Sequence, residues 1–137
     1  MMRAAWAGLA YFGVVFAAGF ALGTLRVLVL APRLGESASV LLELPIILAV
    51  SWVVCRRLVT RIAVPKAPSA RLAMGGIALG ALLVAEAGVS VLGFGRTLSA
   101  HLEQYRQLPA LIGLAGQVAF ALFPIIQRSS EVDRSAG

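Results

Sequence analysis

The sequence predicts an all-α fold: a polytopic membrane protein whose four transmembrane helices form two hairpins. Apolar residues make up 60% of the 137-residue chain and charged residues only 13%, whereas soluble domains average about 45–50% and about 25%. The apolar residues fall into four runs of membrane-spanning length, because a bilayer core of about 30 Å needs about 20 helical residues. Backbone groups in lipid must be paired internally, so each run is expected to be a helix.

The first run, from Ala4 to Leu25, carries no charge. It is longer than the roughly 7–15 apolar residues of a signal peptide, although a cleaved signal remains an alternative. A single transmembrane domain is expected over residues 1–127, and residues 128–137 are expected to be a polar flexible tail. The expected helices lie at about residues 4–30, 38–57, 71–95 and 108–127.

The connections between these spans differ in length and composition. A tight turn near Gly35 closes the first hairpin, and the proline-containing stretch 65–69 links the two hairpins. The longer connection 95–107 is expected to form a short interfacial helix with His101 and Tyr105 on one face. Pro124 is expected to end the fourth helix. Pro45 is expected either to open the second helix or to kink it from inside.

The basic residues are distributed unequally between the two sides. Eight fall on the side of the termini and the middle loop, and four on the other side: Arg3, Arg56, Arg57, Arg61, Lys66, Arg71, Arg128 and Arg134 against Arg26, Arg33, Arg96 and Arg106. Because cytoplasmic loops carry the excess of Lys and Arg, both termini are expected in the cytoplasm. Lipid headgroups are the expected contacts of the middle loop, with a specific anionic-lipid or partner site as the alternative. The headgroup residues are Arg56, Arg57, Arg61, Lys66 and Arg71.

Three ionisable residues lie within the apolar runs: Arg26, Glu43 and Glu86. A charge at the bilayer centre is costly, so each is expected to face a partner, a cavity or the bundle interior. Arg26 and Glu43 are nearly equidistant from the turn at Gly35, which predicts an ion pair at matching depth. Glu86 is a possible third member of one intramembrane charge cluster. Such a cluster either locks the helices together or, with two acids near one base, serves a proton carrier.

Small residues at a spacing of four recur in the first and third spans. Gly19 and Gly23 form one Gly-x-x-x-Gly motif, and Gly76 and Gly80 form another. Such glycines let two helix backbones approach closely in lipid. The seams are interpreted either as packing within this bundle or as contact with a second copy or another protein's helix. Gln117 is expected to form a hydrogen bond between helices.

Several function classes are excluded by what the sequence contains. The single cysteine permits no intramolecular disulfide, and no spacing resembles a metal site, so no metal and no cofactor are expected. No motif of a known catalytic type occurs, and an enzyme is not expected. The one candidate acid–base pair is His101 with Glu103. The basic residues are not interleaved with aromatics, so no nucleic acid is expected as a partner.

One segment resembles a known group of proteins. Residues 19–28, with Pro32–Glu36 and Leu42–Pro45, form a Gly-x-x-x-Gly-x-x-Arg helix leading to a Glu-x-Pro helix. This pattern resembles a group of small bacterial inner-membrane proteins with no assigned activity. The resemblance covers about a third of the chain. It implies a bacterial inner-membrane location and a single structural unit of Arg26, Glu43 and Pro45.

These features favour a small accessory or structural membrane protein. It would pack through its small-residue seams against itself or against a larger membrane complex, with membrane lipids as its other partners. The alternative is a proton-coupled small transporter or channel component that uses Glu86 together with Arg26 and Glu43.

Overall fold

The computed structural model describes residues 2–136, and the side chains of residues 2–128. Over this range the chain is helical and has no strand. Four helical stretches are long and apolar enough to cross a membrane, which confirms the predicted all-α polytopic fold. They span Met2–Leu34, Glu36–Ile62, Pro68–Gly93 and Leu108–Arg128.

The first stretch consists of α1 (Met2–Leu25), a π-helical turn over Arg26–Leu30, and α2 (Ala31–Leu34). Next come α3 (Glu36–Ile62) and α4 (Pro68–Gly88), and α4 continues through a second π-helical turn over Val89–Gly93. A short helix, α5 (Leu98–Glu103), and a 3₁₀ turn over Gln104–Arg106 precede α6 (Leu108–Ala136). The predicted polar tail begins at Arg128. Beyond that residue its side chains lie outside the described residues.

Local chemistry explains where the helices begin and end. Gly35 has a φ of +83°, which glycine adopts without steric cost because it has no Cβ. The chain reverses at this residue between α2 and α3. Ala63 is left-handed, with a φ of 56°, and its N–H bonds to the carbonyl of Val59 to close α3. Pro68 opens α4, where a missing N–H costs nothing. The Thr97 hydroxyl accepts from the N–H of Ala100 and caps α5.

Two prolines, Pro45 and Pro124, lie inside long helices. Pro45 lies well inside α3, so the alternative in which it opens the second helix was wrong. Pro124 lies inside α6, and the expectation that it ends the helix was wrong. An interior proline leaves the carbonyl four residues earlier without its usual donor. For Pro124 that carbonyl belongs to Phe120, and the Tyr11 hydroxyl donates to it at 2.7 Å, which allows the helix to continue.

The four long helices form a ring. α1 packs against α3 and α4, and α6 packs against the same two helices, so α3 and α4 occupy opposite corners. The start of α1, the 63–67 connection and the later part of α6 meet at one end, here called the basic end. Gly35 and the connection 94–107 lie at the other end, the loop end. The hydrophobic core lies toward the basic end and consists of Ala4, Ala7, Tyr11, Val15, Cys55, Val59, Val64, Ala70, Met74, Ala78, Leu82 and Phe120.

Packing is tight near the basic end and sparse near the loop end. A Cβ on Gly8 would lie 2.7 Å from the carbonyl oxygen of Met74, and one on Gly75 would collide with the carbonyl of Ala121. Near the loop end, Leu28 and Leu92 are 71% and 88% exposed. The buried apolar core is therefore concentrated in the basic half of the bundle.

Candidate functional site

The predicted ion pair between Arg26 and Glu43 is present. Arg26 Nε lies 2.6 Å from Glu43 Oε2, and the side chains are 24% and 16% exposed. The Nε–H is not directed at the carboxylate, so this is a charge contact more than a directed hydrogen bond. Arg26 opens the π-helical turn after α1, and Glu43 lies about two turns after the start of α3. The contact joins the two helices of the first hairpin.

Glu86 does not join this pair. Its Oε1 accepts a hydrogen bond from Gln117 Nε2 at 2.5 Å, which links α4 to α6. Among the described side chains, Arg26 and Glu43 form the ion pair and Glu86 has no cationic partner within bonding distance. The ring order explains the separation, because Glu43 on α3 and Glu86 on α4 occupy opposite corners. The prediction of one cluster was therefore wrong, while the predicted interhelical role of Gln117 is observed.

The short helix predicted in the long connection is present, and it brings His101 and Tyr105 together. Their rings meet edge to face with centroids 5.8 Å apart. His101 is buried, although it belongs to a connection at the end of the bundle. The Gln104 side-chain nitrogen lies 2.9 Å from His101 Nδ1. Because the amide nitrogen is a donor, Nδ1 accepts, and the proton of the neutral ring is on Nε2.

A pocket of about 240 Å³ separates this short helix from the bundle. Its walls are mainly leucine and alanine side chains, including Leu83 and Ala87, and its polar lining residues are His101 and Tyr105. Leu83 and Ala87 flank Glu86 on α4. Partial burial, with the Glu86 carboxylate nearby, raises the pKa of Tyr105. The pocket thus adjoins the Glu86–Gln117 pair.

A larger open cleft of about 690 Å³ lies on the outer side of the same connection. It is lined by both acidic and basic side chains, among them Glu36, Arg96, Glu103 and Arg106. Glu103 faces this cleft, whereas His101 faces the inner pocket. The one sequence-based acid–base pair, His101 with Glu103, therefore lies on two different surfaces.

The glycines that permit close helix contact differ from those singled out in the sequence. Gly76 and Gly80 have no atom within 4 Å of a Cβ position, and Gly19 and Gly23 meet only ordinary contacts at 3.8 and 3.7 Å. The internal seams instead use Gly8, Gly75 and Gly116, where a Cβ would collide with a neighbour. The interpretation of Gly76 and Gly80 as an intramolecular seam is thus wrong. A four-residue spacing alone does not show which face a neighbour occupies.

Arg71 is not a headgroup residue, contrary to the sequence prediction. It is 1% exposed, its Nε donates to the carbonyl of Pro65 at 3.1 Å, and its Nη1 donates to the carbonyl of Pro124 at 3.0 Å. Its position inside the first turn of α4 directs the side chain toward the bundle. The other four basic residues of this set, Arg56, Arg57, Arg61 and Lys66, are exposed at the basic end.

The sequence analysis missed two further contacts between helices. The Tyr11 ring stacks on Phe120 with centroids 4.1 Å apart, in addition to its hydrogen bond with the Phe120 carbonyl. Gln127 donates to the carbonyl of Trp52 at 2.9 Å. The first of these had a signal, because an interior Pro124 leaves the carbonyl of residue 120 in need of a donor. The second had none.

Comparison of the chain with protein-family models, with curated proteins and with solved structures finds no match. Within the described residues, no three His, Cys, Asp or Glu side chains come together where they could hold a metal ion. The candidate site is therefore defined by geometry: the Glu86–Gln117 pair, the pocket beside it, and the buried His101.

Proposed function

We propose that the protein is a small integral membrane accessory protein that associates with another transmembrane helix through the face of α4 around Gly76 and Gly80. The observation that carries this proposal is that both glycines are exposed and have no atom within 4 Å of a Cβ position. The opposite face of α4, with Gly75 and Met74, is buried against the rest of the chain. In lipid, exposed small residues at this spacing allow two helices to approach closely.

The same proposal includes location and orientation. Four apolar helices fit a membrane protein. A bacterial inner membrane with both termini in the cytoplasm is supported by the basic residues exposed at the basic end, which include Arg56, Arg57, Arg61 and Lys66. Anionic headgroups of the cytoplasmic leaflet attract such a cluster. A reporter enzyme active only outside the cytoplasm, fused after Gly137, is expected to be inactive.

The experiment is co-purification in a mild detergent, with native mass and identification of the proteins that travel with the chain. Gly76→Leu and Gly80→Leu should each raise the Kd of association at least about tenfold, because the two helices can no longer pack closely. Both variants should keep the fold, because no atom occupies the space that the new side chains fill. Gly113→Leu, on α6 and equally free of neighbours, is the matched control. Association that survives both α4 substitutions would contradict the proposal.

The identity of the companion decides between two forms of the proposal. A stoichiometric larger membrane protein would make the chain an accessory subunit. A homo-oligomer that dissociates on Gly76→Leu would make it a self-associating structural protein. A monomer would overturn the proposal and leave the second candidate, a proton-coupled transporter component. That candidate is favoured by the position of Glu86 beside the pocket, and it no longer includes Arg26 and Glu43, which form a separate pair.

A further inference from the structure

The open cleft of about 690 Å³ at the loop end is lined by residues of both hairpins. Glu36, the first residue of α3, comes from the first hairpin, and the other lining residues come from the connection 94–107. This connection is tied to the end of the third span, because the N–H of Arg96 donates to the carbonyl of Ser90 at 3.1 Å. The two hairpins therefore build the cleft together.

The short helix α5 and the turn after it present different faces to the two cavities. Positions 98, 101, 102 and 105 line the inner pocket, and positions 100, 103, 104 and 107 line the outer cleft. Each set follows the spacing of one helical face. The inner set is apolar or aromatic, whereas the outer set includes Glu103 and Gln104. The outer cleft is thus the polar face of an amphipathic segment.

Two acidic and two basic side chains line this cleft, so their formal charges cancel: Glu36, Glu103, Arg96 and Arg106. All four residues are exposed. Within the described part of the chain, no ion pair or side-chain hydrogen bond joins any of them to another residue. Charges of both signs therefore face one cleft without neutralising each other directly.

This charge pattern suits a ligand that carries both a negative and a positive group. A simple anion would be attracted by the arginines and repelled by the carboxylates. The planar guanidinium groups match the two free oxygens of a phosphate diester. Carboxylates in turn accept charge-assisted hydrogen bonds from a primary ammonium. A phosphoethanolamine group contains both of these features.

The surroundings of the cleft indicate a lipid as the source of this group. The cleft lies at one end of four helices that are long and apolar enough to cross a membrane. Several neighbours of its lining residues in the sequence are large, apolar and exposed, namely Leu34, Phe94, Leu98 and Leu108. Such side chains offer apolar surface to acyl chains beside a polar headgroup site.

We propose that this cleft binds the zwitterionic headgroup of a phosphatidylethanolamine-type lipid. Arg96 and Arg106 hold the phosphate, and Glu36 and Glu103 hold the ammonium. The site is separate from the α4 face around Gly76 and Gly80. Lipid binding here and helix association there therefore succeed or fail independently.

The test uses the full-length protein in phosphatidylcholine vesicles that contain a small fraction of a phosphatidylethanolamine probe. The probe has a photoreactive diazirine near the headgroup end of one acyl chain. The host lipid has the same phosphate, but its trimethylammonium has no N–H to donate. After illumination and digestion, mass spectrometry identifies the labelled peptides. Label is expected in residues 94–107 and beside Glu36. Label confined to the basic end, or spread evenly along the spans, would overturn the proposal.

Unlabelled competitors measure the chemistry of the ligand at this site. Phosphatidylethanolamine should compete about tenfold better than phosphatidylglycerol of the same acyl chains, which lacks the ammonium. Each of the two lost carboxylate contacts should contribute about threefold at this exposed site. Water-soluble glycerophosphoethanolamine, which has no acyl chains to bury, should compete at least about a hundredfold less well. Equal competition by phosphatidylglycerol or by the soluble headgroup would contradict the assignment.

Variants separate the two halves of the site. Glu103→Gln should lower labelling by the phosphatidylethanolamine probe about threefold and should not lower labelling by a matched phosphatidylglycerol probe. Arg106→Gln should lower labelling by both probes. Arg33→Gln is the matched control, since Arg33 is exposed at the same end but does not line the cleft.

The altered side chains are exposed, so each variant should keep its helices, which far-UV circular dichroism checks. An Arg33→Gln effect as large as that of Arg106→Gln would show that the general charge of this end attracts lipid, and would overturn the proposal. So would an equal loss of both probes in Glu103→Gln.

Discussion

In the basic half, the four helices meet through glycine and alanine, and long side chains reach from one helix to backbone carbonyls of another. In the loop half, the first and third spans widen into π-helical turns, and this half contains Glu86, His101 and the Arg26–Glu43 pair. The same chain therefore combines a half with a buried apolar core and a half in which ionisable side chains lie among the helices.

The largest effect on stability is expected at Arg71, a buried side chain that links α4 to α6 in the basic half. Arg71→Leu removes the donor to the buried carbonyl of Pro124 and the donor to the more exposed carbonyl of Pro65. Each such loss costs about 1–3 kcal/mol, so the free energy of unfolding should fall by about 3 kcal/mol or more. Thermal unfolding in a mild detergent measures it. Arg57→Leu, exposed at the same end, should change the unfolding temperature little, and an equal loss in both variants would contradict the account.

In the loop half, the ion pair offers the next largest effect. Glu43→Leu leaves Arg26 without its partner inside the membrane, which should cost about 2.5 kcal/mol of stability. The double exchange Arg26→Glu with Glu43→Arg restores opposite charges at the same depth and should recover most of that loss. The coupling between the two residues is obtained from the unfolding temperatures of Arg26→Glu, of Glu43→Arg and of the double variant. Absence of any recovery would show that the pair does not join the hairpin.

Adjacent glycines on α4 compare the inner and outer faces of one helix. Gly75→Ala places a Cβ against the carbonyl of Ala121 and should cost about 2 kcal/mol, because overpacking a helix seam forces the backbones apart. Gly76→Ala meets no atom within 4 Å and should be neutral or slightly stabilising, since alanine is the better helix former. Equal effects of the two changes on thermal unfolding would be inconsistent with the seam described.

The smallest effect concerns the proline inside α6. Tyr11→Phe removes the hydroxyl that donates to the Phe120 carbonyl and should cost about 1 kcal/mol. Pro124→Ala restores a backbone N–H that can bond to the same carbonyl, so the tyrosine change should cost less in that background. A double-mutant cycle on unfolding free energies measures this coupling. Strict additivity would mean that the tyrosine does not replace the missing helix bond.

Much of the fold could be predicted because hydrophobic length and the placement of charges depend on local sequence. The four spans, the Arg26–Glu43 pair and the short helix with His101 and Tyr105 follow from spacing alone. The order of helices around the ring does not. For that reason Glu86 was assigned to the wrong neighbours, Gly76 was preferred to Gly75 as a seam residue, and Arg71 was placed at the headgroups instead of in the interior. Each error concerns which face of a helix meets which neighbour.

The contrast between the two halves is tested most directly by cysteine accessibility. In a Cys55→Ala background, Ala87→Cys lines the pocket near the loop end, and Ala78→Cys lies fully buried in the basic half of the same helix. Protein in vesicles is treated with a small water-soluble thiol reagent on each side in turn. The account predicts that position 87 reacts with reagent supplied at the loop end, and that position 78 reacts from neither side. Reaction at position 78, or at position 87 only from the basic end, would contradict it.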